Sequence, residues 1–213
     1  MEQELLIEHW GQPGEVVGGS PMLESVDGDG ALYITGIFMQ AEAVNRNKRL
    51  YPRRILEAAV DRYITEQVNT RQALGELNHP TRAMVDPSKA CILIEKLWWE
   101  GNNVMGKARV IEGDNGDGDK LAALIRAGWV PGVSSRGLGK LKSSGAGYNV
   151  VQEGFRLTVG VDVVWGPSAP DAWVKPVLES TEPEVKESEP EAIVENNADN
   201  AFMLLAQRLK ETL

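Results

Sequence analysis

His79 stands in the run G-E-L-N-H-P, from Gly75 to Pro80, and is one of two histidines in the chain, the other being His9. Ser134 and Ser135 stand in V-S-S-R-G, from Val133 to Gly137. A carboxylate, Asp162, interrupts the otherwise apolar run V-G-V-D-V-V-W. Imidazole titrates near neutral pH, so His79 is the better placed of the two histidines for proton transfer. Together these types suffice for serine hydrolysis, which needs a hydroxyl, a base to take its proton and a group that orients the base. Each also has a plainer reading. A single histidine before a proline is more often a structural loop residue, and a serine pair can be a polar strand edge. A carboxylate in a buried strand costs several kcal/mol unless paired. Asp162 therefore needs a partner: an arginine, backbone N–H groups, or the N–H of His79. Pro80 pushes His79 toward an extended backbone. The glycines after Ser135 permit close backbone approach to a ligand. No G-x-S-x-G is present, so the nucleophile elbow of α/β-hydrolases is not supported.

The elements that must position these groups are mostly strands. Ala31–Met39, Ala90–Trp99 and Asn103–Ile111 are rich in β-formers, the last two joined by a Glu100-Gly-Asn turn. Phe155–Trp165 alternates, with Leu157, Val159, Val161 and Val163 on one face and Thr158, Gly160 and Asp162 on the other. Val130–Leu141 is extended, with glycines where backbone bends or approaches closely. Pro52–Val68 is the clearest helix, with an apolar stripe through Leu56, Ala59, Val60, Tyr63, Ile64 and Val68. A second, short helix over Lys120–Ala127 is expected to be capped by Asp119 and ended by Gly128. Leu5–Ser25 reads as strand and turn.

Size and composition suit one globular domain of about 1–176. An acidic disordered linker over 177–199 and an amphipathic helix over 200–213 follow. From Glu179 to Asn200 there are eight acids and one base, which places −7 of the net −9 in that segment and −2 in the rest. Neither part offers a phosphate-binding surface, so nucleic acid is not an expected partner. No apolar run is long enough to span a bilayer. A single cysteine, Cys91, sits in an apolar strand and fits a buried core thiol in a reducing compartment. No zinc-ligand cluster and no cofactor motif is present. Asp114–Asp119 resembles part of a calcium loop but lacks its closing glutamate, Ile125 standing there, so a polar turn leading into the helix is preferred. The terminal helix cannot bury its stripe alone and is expected to dock on a partner or on its own body.

The strings G-E-L-N-H-P, R-V-I-E-G-D, I-R-A-G-W-V-P-G-V-S-S-R-G-L-G and L-T-V-G-V-D-V-V-W-G-P-S-A-P-D-A-W resemble the prohead core protease family of large contractile-tailed bacteriophages. That family is itself similar to herpesvirus assemblin. The resemblance covers about Leu5 to Trp173. It implies an α+β fold, mainly an antiparallel β-barrel surrounded by helices. It implies His79 as general base, Ser134 as nucleophile and Asp162 as third member. It further implies Ser135, Arg136 and Gly137 around the oxyanion, with Arg136 acting directly or through water. Cleavage is expected after Glu in a hydrophobic-x-Glu context, in scaffold or core proteins and in the major capsid protein. Arg82 and Arg136 are candidates to meet that Glu. The same context at Ile193-Val-Glu195 implies self-cleavage after Glu195, freeing the terminal helix, and a homo-oligomer is expected. The site of action implied is the assembling prohead in the host cytoplasm. Two rivals remain at this point: a non-enzymatic scaffold-binding or capsid-binding protein on the same fold, and a hydrolase of small esters or amides.

Overall fold

The computed structural model describes residues 3–7, 30–165 and 174–178. His9, the acidic linker beyond Leu178, Glu195 and the terminal helix over 200–213 lie outside the described residues.

The long β-forming runs become strands at the places expected. β1 spans Glu4–Ile7, β2 Leu32–Gln40 and β3 Arg49–Leu50. β4 spans Leu74–Glu76, and β5 (Ala90–Glu100) and β6 (Asn103–Val110) form a hairpin. β7 spans Gly132–Gly139, β8 Leu141–Ser143, β9 Asn149–Val151, β10 Arg156–Val164 and β11 Val174–Leu178. β11 pairs with β2 through Leu178, so ordered pairing runs two residues past the boundary expected from composition.

These strands make three sheets, in the orders β1-β7-β10, β11-β2-β6-β5-β4 and β3-β9-β8. Every pairing is antiparallel except β3 with β9. Among the described residues none of the sheets closes on itself, which corrects the expectation of a barrel. The five-stranded sheet keeps β11 and β4 as edges, and the β1-β7-β10 sheet keeps β1 and β10. Instead, the edge of one sheet meets the edge of the other. Beyond β4, Leu77 forms an isolated parallel bridge with Val163 of β10, and Asn78 N donates to Val163 O at 2.8 Å.

Helix α1, Arg53–Tyr63, begins one residue later than expected, with Pro52 in extended conformation as its N-cap, and buries Leu56, Ala59, Val60 and Tyr63. The helical run continues to Val68, but its last turn, Ile64–Val68, is π-helical, so the stripe does not keep one register throughout. Helix α2, Asp117–Arg126, buries Leu121, Ala122 and Ile125, and packs on β5. It begins earlier than expected. Asp119 lies inside its first turn and reaches back to accept the backbone N–H groups of Gly113 (2.8 Å) and Asn115 (2.6 Å). It thus ties down the preceding loop instead of capping the helix. These two bonds, Gly113's the larger, hold its carboxyl below the usual range. Gly128 takes the left-handed conformation that ends the helix, φ 92°.

The core gathers inward residues of β2, β5, β6 and β10 with the buried faces of both helices: Ile34, Phe38, Ile92, Ile94, Val104, Val161 and Val163 are all within it. β10 departs from simple alternation. It is buried on both faces from Val159 on, and its pairing with β7 shifts between Val159 and Asp162.

Candidate active site

The site lies at the seam where β4 and the segment after it run beside β10. Three features of sequence bring the backbones together there. Gly75 has no side chain, and a Cβ at that position would lie 2.1 Å from the carbonyl oxygen of Val161. Only glycine lets β4 approach β10 so closely. Leu77 then bridges Val163. Asn78 adopts φ 70°, a left-handed conformation that asparagine tolerates better than most residues. The chain turns there, and His79 faces back onto β10.

On β10, two residues, Gly160 and Val161, separate the paired positions Val159 and Asp162, against one, Ser135, between Arg136 and Ser134 of β7. This bulge brings Asp162 into register with Ser134 on the neighbouring strand. Directly paired residues of antiparallel strands project to the same side, so Ser134 and Asp162 share a face. Arg136, two residues on from Ser134, shares that face of β7 as well.

His79 Nδ1 is 2.8 Å from Asp162 Oδ2, and the two side chains are 2% and 0% exposed. Asp162 Oδ1 accepts the backbone N–H of Glu76 at 2.9 Å and Nη2 of Arg136 at 2.9 Å. Nε of Arg136 lies 2.6 Å from Oδ2, close enough for an ion pair but off the direction of a hydrogen bond. Every nitrogen of the buried Arg136 guanidinium is engaged. Nη1 donates to the carbonyls of Arg82 (2.8 Å) and Met84 (3.2 Å), and Nη2 also reaches Glu76 Oε1 at 3.3 Å. Glu76, itself buried, accepts Arg82 Nη2 at 2.5 Å and the backbone N–H of Asp86 at 2.8 Å. Two buried carboxylates are thus matched by one buried and one half-exposed guanidinium, the condition under which charge is tolerated inside a protein.

The sequence-predicted residues are distributed as follows. His79 and Asp162 are in contact, and Ser134 is buried across the ladder from Asp162. Ser135 is half-buried at the bulge. Arg136 is fully buried. Its guanidinium is buried against Asp162, Glu76 and the carbonyls of Arg82 and Met84. Gly137 is flanked by Leu6 of β1 and Leu157 of β10, and a Cβ there would lie 2.4 Å from the Phe155 ring. Packing against that ring accounts for this glycine. Arg82 keeps its side chain 44% exposed while touching Glu76. Sequence reasoning did not single out Glu76, although G-E-L-N-H-P contains it. Its signal was an acid within a short strand, the same signal that drew attention to Asp162.

Two other ionisable groups pack near the dyad. Tyr63 of α1 is pushed up to about 12, chiefly by burial, with a Gly160 backbone hydrogen bond opposing and the Asp162 charge adding. Burial, followed by the Asp162 charge, pushes the Cys91 thiol up, which removes it as a nucleophile. Among the described residues no group of His, Cys, Asp and Glu side chains is arranged to hold a metal ion.

The geometry therefore offers an imidazole in contact with a buried carboxylate that pairs across the ladder with a strand-borne serine. Comparison with known proteins points the same way. The family model for the prohead core protein serine protease matches residues 5–182. The prohead core protein protease of Enterobacteria phage T4 is 64% identical over 217 aligned residues, covering 100% of this chain and 99% of that protein. The solved structure of the bacteriophage T4 capsid assembly protease is 68% identical, superposes with a TM-score of 0.69, and covers 78% of this chain and 100% of its own.

Proposed function

The chain belongs to the prohead core protein serine protease family, and on that footing we propose that it is a serine endopeptidase using Ser134, His79 and Asp162. It is a protease of the phage prohead that acts in capsid assembly. The observation that carries the triad is the 2.8 Å contact of His79 Nδ1 with Asp162, joined to the register that pairs Asp162 with Ser134.

In this reading the carboxylate accepts the proton-bearing Nδ1, which leaves Nε2 as the basic nitrogen. Ser134 Oγ attacks the scissile carbonyl as His79 Nε2 takes its proton. Asp162 stabilises the imidazolium, and His79 then protonates the departing amine. Water, activated by the same nitrogen, releases the acyl group. The backbone N–H of Ser135, at the bulge, is the oxyanion donor.

The substrates proposed are scaffold or core proteins and the major capsid protein, cut after Glu in hydrophobic-x-Glu strings inside the prohead in the host cytoplasm. No helix of the described residues is long and apolar enough to cross a membrane. A substrate Glu needs a cation, and Arg82 is the candidate that retains solvent exposure. The chain's own Glu195 stands in such a string, and tethering gives it a high effective concentration. Kinship with herpesvirus assemblin belongs to the same proposal. It comes from the family resemblance, and sites that could not be superposed would remove it.

The deciding experiment is the intact mass of purified wild-type protein beside Ser134→Ala, with a hydrophobic-x-Glu peptide as added substrate. Trimming after Glu195 and peptide cleavage in the wild type, with neither in the variant, is the expected result. Full-length masses in both and an uncut peptide would overturn it.

A further inference from the structure

We propose that Arg136 and Glu76 are a positioning pair that tunes the proton affinity of His79 and fastens the 81–86 loop to the His79–Asp162 dyad; the proposal rests on the triad reading above. Each oxygen of Asp162 is gripped from two sides. Oδ1 meets Arg136 Nη2 and the Glu76 N–H, and Oδ2 meets Arg136 Nε and His79 Nδ1. The carboxylate therefore cannot rotate without breaking contacts to both β7 and the segment around β4. The guanidinium and the Glu76 carboxyl are 0% and 4% exposed, so water screens their charges poorly.

The electrostatic consequence follows from sign. Arg136 offsets the charge of Asp162 and weakens its pull on an imidazolium. Glu76, bonded to Arg136, offsets the guanidinium in turn. Among the described residues, further charged groups near the dyad include Arg82, on Glu76, and Asp86, whose backbone N–H also serves Glu76. Tyr63 from α1 and Cys91 from β5 stay protonated and add no charge. Removing Arg136 leaves the buried carboxylates of Asp162 and Glu76 without the guanidinium they share and strengthens the pull of Asp162 on an imidazolium. Removing the charge of Glu76 leaves Arg136 less compensated and weakens that pull. The same pair holds the loop that follows His79-Pro80. Arg136 binds the Arg82 and Met84 carbonyls, and Glu76 binds the Arg82 side chain and the Asp86 N–H. Met84, at 66% exposure, stands at the outside of that loop.

The test uses full-length protein and a fluorophosphonate probe, which forms an Oγ–phosphorus bond at an activated serine with loss of fluoride while the base takes the hydroxyl proton. The readout is the pH profile of the labelling rate. Glu76→Gln is expected to move the acidic limb to lower pH and Arg136→Met to higher pH, each by about one unit. Arg136→Lys, which keeps the charge, is expected to move it by less than half as much as Arg136→Met. Limbs that stay in place, or that move in the same direction in both variants while only the plateau falls, would overturn the pair. If Arg136→Met does not fold, Glu76→Gln and Arg136→Lys decide the matter. Labelling of Ser134 that disappears in His79→Ala, with unmoved limbs, leaves the triad standing and removes the pair. A wild-type chain not labelled at Ser134 removes both.

Discussion

His79 Nδ1 and Asp162 Oδ2 meet at 2.8 Å across a separation of 83 residues, and both side chains are withdrawn from solvent. Burial makes this contact directional: the imidazole has one ring nitrogen committed to the carboxylate. Asp162→Asn would present an amide that can donate where an acceptor is required and would favour the wrong tautomer. Turnover of a hydrophobic-x-Glu peptide should fall by about 10³–10⁴-fold. His79→Ala combined with Asp162→Asn should be little worse than His79→Ala alone, since the two act as a unit. Steady-state kinetics of the single and double variants would check this.

Gly75→Ala tests the close approach of β4 to β10. The new Cβ would fall 2.1 Å from the Val161 oxygen, and that oxygen belongs to backbone that cannot swing aside. The strands must separate, weakening the Glu76 N–H bond to Asp162 at the same time. A loss of about 1–3 kcal/mol in denaturant unfolding is expected. Turnover should also fall at temperatures where the variant is fully folded. Unchanged stability would show that β4 does not depend on this contact.

Cys91 is expected to be inert in the native protein. Its thiol is buried, and its proton is held above the ordinary value of 9.0. A group whose folded-state value is raised contributes stability below its ordinary value and loses it as pH rises past that value. At pH 8 a disulfide-exchange reagent should modify Cys91 only once denaturant unfolds the chain. Rapid modification in native buffer would contradict its placement.

Asp119 gives a prediction on the acid side. Its carboxyl is held below the ordinary value of 3.8, first by the Gly113 N–H and then by the Asn115 N–H. A depressed folded-state value contributes stability above the ordinary value, lost as pH falls through the depressed one. Wild-type melting temperature should therefore drop more steeply below about pH 4 than that of Asp119→Asn, with the two curves converging at low pH. Parallel curves would remove Asp119 from the acid response.

Much of the fold was legible because its signals are local. β5 opens on a continuous apolar run, β6 alternates buried and half-buried residues after a Gly-Asn turn, and α1 carries its stripe behind Pro52. The pairing of His79 with Asp162 was legible as a demand: a carboxylate among valines must have a partner, and imidazole was one of few available. The position of Arg136 was not legible. Strand periodicity sets the face on which a side chain emerges, but not whether that face looks toward a substrate or into a buried charge cluster. Glu76 was passed over for the same reason, because its neighbours in space come from β7, β10 and the following loop. The absence of a closed barrel also depends on which strand edges meet, and single-strand patterns do not encode that. Among the links between the sheets is the Leu77–Val163 bridge, whose residues look like ordinary core.

That bridge has a bearing on timing. His79 comes from the first half of the chain, while Ser134 and Asp162 come from the second, on the far side of the bridge. A ribosome must deliver the chain through Val163 before the halves can be stitched and the imidazole acquires its carboxylate. A partly synthesised chain, or one whose two sheets have come apart, holds the histidine without its partner. Proteolytic competence would then report complete assembly of the protein's own fold, a safeguard for any cell whose other proteins would otherwise meet a half-made enzyme.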